Sequence, residues 1–284
     1  MFMCDIATCL PIFCPPVKFV NRYGCHDAYV PMNPSLWISP DGSYVLLVRN
    51  VNYRKFHDYT FTLSECISNS VYFIQRGKSV RQLYEDIPER LTVSYGAPMY
   101  RTYWTGPEDI RFVSLSTVWV TVPELSPQGQ PSMFQATLEG TTLTSFVALR
   151  PNNTPEKNWM PYDNMSIYTL CPLTLRDPTG ALTPVSTSTT ALQGYHGSTS
   201  GVLVHGLWWF IVHDKKVHRF LRTDGTTWEV SEPFSFFRGT YIEFCCSLCF
   251  YDNAFWCAVG CNDNQAFVLI VPKDSLNVSF ETLK

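Results

Sequence analysis

The stretch Leu36-Trp37-Ile38-Ser39-Pro40-Asp41-Gly42-Ser43-Tyr44-Val45-Leu46-Leu47-Val48-Arg49 reads as a β-hairpin on its own terms. Two apolar runs flank Pro-Asp-Gly. Proline presets φ at the first turn position, and glycine takes the positive φ that closes the turn. The same grammar continues downstream. Short apolar or alternating runs at residues 59–63, 71–74, 111–113, 117–122, 133–138, 142–149 and 166–170 lead to others at 201–204, 207–213, 217–222, 241–250, 255–259 and 266–271. His205-Gly206, Asp224-Gly225 and Asp252-Asn253 supply further turns. Only residues 79–90 have a composition that allows a helical turn or two. Strands with turn signals about every ten residues, and no strand–helix alternation, predict an all-β fold. Asn33, Glu108, Glu156, Gly197 and Glu243 recur as anchors at intervals of tens of residues. That recurrence suits a five-bladed β-propeller, one domain over residues 1–284 with residues 1–32 an irregular lead-in. A two-sheet sandwich is the rival arrangement.

Composition narrows the function. Hydrophobic residues are 45% of the chain, enough for a sizeable core, whereas charged residues are 16% and the net charge is −3. With no basic field to grip phosphates, a nucleic-acid partner is not expected. Aromatics, at 15%, suit both β-strands and sites that stack on sugar rings. No apolar run reaches the roughly 18 residues of a membrane span. Asp5, Pro11, Pro15 and Pro16 interrupt the N-terminal apolar run, which does not read as a signal peptide. Eleven cysteines form no even framework, and Cys246-x-x-Cys249 lies inside apolar runs, where free cysteine is a core filler. Neither a zinc site nor a cofactor is expected, and free thiols predict a reducing, cytoplasmic setting.

The chemistry-bearing residues are dispersed. Thr105-Gly106-Pro107-Glu108-Asp109-Ile110-Arg111-Phe112 puts two carboxylates and an arginine at a strand entrance after a Gly-Pro turn. Neighbours on a strand point to opposite faces, so one carboxylate is expected to face a site and the other to pair with Arg111 or backbone amides. In Pro155-Glu156-Lys157-Asn158-Trp159-Met160-Pro161-Tyr162, Lys157 and Asn158 can donate to an oxygen-rich ligand and Trp159 can stack on a sugar face. His213 ends a long apolar run, and Glu243 is a carboxylate inside one, which is costly unless paired or functional.

Taken in order, Asn33-Pro34-Ser35, Glu108-Asp109-Ile110-Arg111, Lys157-Asn158-Trp159, Gly197-Ser198-Thr199, His213, Glu243 and Asp263 resemble the five-bladed propellers of inverting β-mannoside phosphorylases. They also resemble the related mannosyltransferases and the wider class of five-bladed glycosidases. The resemblance implies Asp109 as catalytic acid, held by Glu108 and Arg111. It implies Lys157 and His213 at a phosphate, Glu243 in the last blade, and Asp263 beside the sugar pocket. The expected set is thus Asp109 and Glu243 as catalytic groups, with Asn33, Arg49, Glu108, Arg111, Glu156, Lys157, Asn158, Trp159, His213 and Asp263 binding substrate. Two departures stand out: Ile110 replaces the family's proline, and Cys171-Pro172 replaces an expected arginine that would bind phosphate. The second leaves transfer or hydrolysis more open.

The expectation is an enzyme that makes or breaks a glycosidic bond. An inverting glycosyltransferase or phosphorylase-like activity on mannose or a similar sugar comes first, with a glycoside hydrolase and a non-catalytic glycan-binding propeller as alternatives. Its partner is a glycan or small sugar, with a sugar-nucleotide or sugar-phosphate donor. Such chemistry needs one carboxyl protonated and, for inverting hydrolysis, a second that activates water, the role expected of Glu243.

Overall fold

A computed structural model describes residues 8–20, 26–56, 59–62, 68–97, 99–100, 102–150, 156–186, 190–215 and 217–283. Strands dominate it, joined by turns and four short 3-10 segments. Residues 79–90 carry one of these, Val80–Gln82, and then the strand Glu89–Arg90, so the helical reading holds for a single 3-10 turn. None of the described helices is long and apolar enough to cross a membrane.

The sheets form the five blades of a propeller. Blade 1 runs outward from Val30–Ile38 through Tyr44–Val51 to Ser68–Gly77. Blade 2 is Glu108–Phe112, Thr117–Thr121, Met133–Glu139 and Thr142–Ala148. Blade 3 is Met160–Tyr162, Met165–Leu170, Leu173–Arg176 and Leu182–Ser186. In blade 4, His196–Gly197 and Val202–Val204 both pair with Leu207–Asp214, followed by Val217–Thr223 and Trp228–Ser231. Blade 5 is Glu243–Tyr251, Ala254–Cys261 and Gln265–Pro272. Each anchor recognised in the sequence lies on, or just before, the first strand of a blade.

Both ends of the chain complete sheets. Thr8–Pro11 pairs with Gln265–Pro272 as the fourth strand of blade 5, and Phe280–Thr282 pairs with Trp228–Ser231 at the edge of blade 4. The lead-in is therefore not wholly irregular. A four-residue strand ending in proline has too little periodicity to reveal itself, and its partner lies at the far end of the sequence.

Four seams between blades are apolar. Leu47, Ile110, Val118 and Val120 join blades 1 and 2; Met160, Tyr162, Phe210 and Trp228 join 3 and 4. Trp209, Phe220, Phe255 and Leu269 join 4 and 5, and Leu36, Leu46, Trp256 and Val268 join 5 and 1. The seam between blades 2 and 3 is built from polar contacts instead. Arg150 pairs with Glu156 and donates to Tyr168 Oη at 2.8 Å, Arg176 Nη2 donates to Leu149 O at 3.1 Å, and Glu156 N donates to Pro131 O at 3.0 Å.

The candidate active site

Three residues at the same end of the central channel hold left-handed backbone: Asn33 (φ 40°), Asp109 (φ 49°) and Asn158 (φ 67°). Asn and Asp tolerate this region better than other non-glycine residues. Asn33 and Asp109 each sit in a register break of a first strand, between Met32 and Ser35 and between Glu108 and Arg111. A bulge re-aims side chains and stops the strict alternation of faces. The break around Asp109 thereby turns both Glu108 and Asp109 to one cavity, against the expectation that only one would reach it. Asn33 fits because residue 260 is glycine: a Cβ there would stand 2.3 Å from Asn33 Oδ1.

Arg49, 3% exposed, ties the two carboxylates together. Its Nη2 is 3.1 Å from Glu108 Oε1 and its Nη1 3.3 Å from Asp109 Oδ1, while Nε donates to Ser70 Oγ at 2.9 Å. Asp109 Oδ1 also accepts a 2.8 Å hydrogen bond from Asn33 Nδ2. These surroundings separate the two acids. Burial pushes both up, but Arg49, Arg111, Asn33 and Lys157 outweigh it at Asp109, which is held below the usual aspartate range. At Glu108 burial wins over Arg49, with the Asp109 charge adding to it, and the carboxyl is raised. A proton held by the pair resides on Glu108, and Asp109 is the ionised member.

Arg111 lies beneath the pair with no exposed surface. It donates to Ser198 O at 2.6 Å, Asp109 O at 3.1 Å and Asn158 Oδ1 at 3.2 Å, so one guanidinium joins the first strands of blades 2, 3 and 4. In blade 4, burial, Arg111 and His196 hold His213 down to about 3, so its imidazole is neutral. Behind it, His218 is fully buried and also pushed down by burial, 3.8 Å from Glu243 Oε2. The Glu243 carboxylate accepts from Phe236 N at 2.8 Å, Phe237 N at 3.1 Å and Thr240 Oγ1.

The resulting cavity encloses about 710 Å³ and is lined from all five blades. Of the expected residues, Asn33, Arg49, Glu108, Asp109, Lys157, Asn158, His213, Glu243 and Asp263 line it. Arg111, Glu156 and Trp159 do not. Arg111 is the buried tie just described. Glu156 faces Arg150 and Tyr168 in the polar seam. Trp159, 2% exposed, packs against Tyr168 (5.3 Å between ring centroids) and under the Arg176 guanidinium at 4.8 Å, where no ligand reaches its face. Sequence reasoning did not pick out Tyr53, Trp104, Pro123, Pro131, His196 and Lys215, which also line the cavity. His196 had a visible signal, since it directly precedes the Gly197 anchor; in the ladder it is opposite His213.

The first strands of this five-bladed propeller thus bring acids, bases and amides to one mouth. Neither a protein-family model nor a curated protein sequence matches this chain. Solved structures do. The chain is similar to a β-1,2-mannobiose phosphorylase from Listeria innocua, with a TM-score of 0.54 and 10% identity over 95% of this chain and 98% of that one. A glycoside hydrolase from Bacteroides ovatus, described as putative, gives 0.54 and 12% over 95% and 97%. A structure from the GH130 mannoside phosphorylase family, in work on glycoside hydrolases that target β-1,2-mannosidic linkages in Candida mannan, gives 0.54 and 11% over 93% and 89%. At these identities the likeness is one of fold, and the fold matches the sequence-based resemblance.

Proposed function

We propose that this protein is an enzyme acting on glycosidic bonds, and that hydrolysis of a neutral β-mannoside or a similar glycoside fits its cavity best. The observation that carries the reading is the Glu108–Asp109 pair: two carboxyl groups on one cavity, bridged by one buried arginine and shifted in opposite directions by their surroundings. Glycoside cleavage needs a protonated carboxyl at the leaving oxygen and negative charge near an oxocarbenium-like centre. Glu108 supplies the first. Asp109, held below the usual aspartate range, supplies the second, and its charge adds to the burial that pushes Glu108 up.

Hydrolysis is favoured over transfer from an anionic donor because the expected cations are committed. Arg111 is buried beneath the floor, Arg49 is held between the Glu108 carboxyl and the Asp109 carboxylate, and His213 is neutral. Among the described residues, Lys157 and Lys215 are the ammonium groups lining the cavity. The water-activating role expected of Glu243 passes to Asp263, because Glu243 already accepts three hydrogen bonds from its own neighbouring loop.

The test uses neutral β-mannosides with and without inorganic phosphate, and sugar nucleotides in parallel. Release of free sugar that does not depend on phosphate supports hydrolysis; turnover only with phosphate or a sugar nucleotide rejects it. Glu108→Gln is expected to lose about 10²–10⁴-fold on natural glycosides. It should retain turnover of aryl glycosides whose leaving group needs no proton. If Asp109→Asn shows that rescue instead, the proton donor is Asp109.

A further inference from the structure

We infer that Trp104 and its setting form a stacking platform for a second and later sugar, so that the substrate is a neutral oligosaccharide chain entering between blades 1 and 2. This rests on the glycoside reading above and names the substrate class for the same cavity. Going round the mouth, polarity is uneven. Blades 3 and 4 contribute Lys157, Asn158, His196, His213, Asp214 and Lys215. The sector between blades 1 and 2 contributes Tyr53, Trp104, Pro123 and Pro131, on the side where Glu108 and Asp109 stand.

Trp104 both lines the cavity and remains 40% exposed. Its neighbours hold it there. Its ring meets Tyr53 edge-on at 6.0 Å, and Trp104–Thr105 pairs with Ser68 and Asn69 of blade 1. One buried residue of blade 2, Glu124, fastens the segment at three points. Its carboxylate accepts from Tyr95 Oη and from Gly106 N, and its carbonyl accepts from Tyr100 N at 2.8 Å. Thr102 Oγ1 adds a bond to Gly129 O at 3.2 Å. Gly106 (φ 86°) lets the chain pass against blade 1, where a Cβ would lie 2.2 Å from Ser70 O. A large indole held half-open at the rim of a polar cavity, at a fixed angle, offers one apolar face to whatever enters. Sugar rings offer apolar C–H faces that stack on indole while their hydroxyls stay in water. Apart from Arg49, which Glu108 and Asp109 engage, the sector adds no cation and no further carboxylate to the cavity lining among the described residues, so the chain it suits is uncharged.

The experiment measures binding of neutral β-linked manno-oligosaccharides of two to six units by calorimetry, using Glu108→Gln to silence turnover, with cello- and xylo-oligosaccharides beside them. Affinity is expected to rise with length. Trp104→Ala in the same background is expected to remove about five- to ten-fold of that gain. Trp104→Phe should restore most of it. Tyr103→Ala, 81% exposed and outside the cavity lining, should leave the length dependence intact. Affinity that does not change with length, or that Trp104→Ala leaves as it was while short glycosides still bind and turn over, overturns the platform and leaves the glycoside reading standing. If no sugar binds the silenced variant and none is turned over by the wild type, both fall.

Discussion

The five first strands open at two ends, and the two mouths differ in kind. The upper one, about 710 Å³, gathers five carboxylates from blades 2, 4 and 5, three cationic side chains and two histidines, with left-handed residues at three strand entrances. The lower one, about 390 Å³, is lined by Trp37, Phe112, Trp208, Leu248 and Phe250, with Asp163 as its one charged group among the described residues. There the channel is closed by simple ties: Ser200 Oγ donates to Phe112 O at 2.6 Å, and Leu36 N donates to Ser247 Oγ at 2.7 Å. The same strands thus carry packing at one end and costly polar burial at the other. Buried charge collected at one mouth of a regular scaffold makes that end the candidate site.

The contrast can be broken most severely at Arg111. Arg111→Met leaves Ser198 O without its donor in a fully buried place, and Asp109 O and Asn158 Oδ1 without theirs in partly buried ones. At roughly 1–3 kcal/mol for each orphaned group, a loss of about 3 kcal/mol or more is expected. Thermal denaturation should fall by about 5–10 °C. Because the same residue fixes Asp109 and Asn158, turnover should fall with it. A variant as stable and active as the wild type would show the floor of the upper mouth to be ordinary packing.

A subtler break uses the opposite shifts of the two acids, and their effects on stability have opposite signs. Asp109 is depressed in the folded protein, so it contributes stability that is present above its unfolded value and lost as pH falls through the folded one. Glu108 is raised, so its contribution is present at low pH and lost as pH rises through the folded value. At neutral pH, Asp109→Asn should therefore lower the melting temperature and Glu108→Gln should raise it, although both impair turnover. Activity follows the same logic. It should fall at low pH as Asp109 takes up a proton and at higher pH as Glu108 loses its own. On an activated aryl glycoside the alkaline fall should vanish in Glu108→Gln. Melting curves that move the same way in both variants would sink the assignment of the proton to Glu108.

How much of this was legible in the sequence follows from how local each signal is. The hairpin at Leu36–Arg49 and the spacing of Asn33, Glu108, Glu156, Gly197 and Glu243 depend on near neighbours, and they led to the blades. The Glu-Asp pair was visible as a site, yet strand alternation argued that its two members would diverge. The bulge that reunites them is set by Asn33 and Arg49, 76 and 60 residues away, and no local pattern announces it. Trp159 misled because a tryptophan in a polar loop looks like a stacking group. Its cover comes from Tyr168 and Arg176, which fold back only when blade 3 forms. Trp104 went unread for the converse reason: its exposure depends on Glu124, a residue with nothing unusual around it in the sequence. The terminal strands were hidden because each finds its partner in another part of the ring.

The smallest expected effect sharpens the comparison from the other side. Leu203, 56% exposed, stands at the lower mouth. Replacing it with serine removes apolar surface that is mostly in water already, so a stability change within about 0.5 kcal/mol is expected. No polar tie leads from Leu203 to the carboxylate pair, and the lower mouth is closed off by the bonds from Ser200 and Leu36. Turnover of short and long glycosides by Leu203→Ser should therefore match the wild type within error. A loss of turnover with the fold intact would mean that the lower mouth takes part in the reaction, and that the division of labour between the two ends of the channel is drawn in the wrong place.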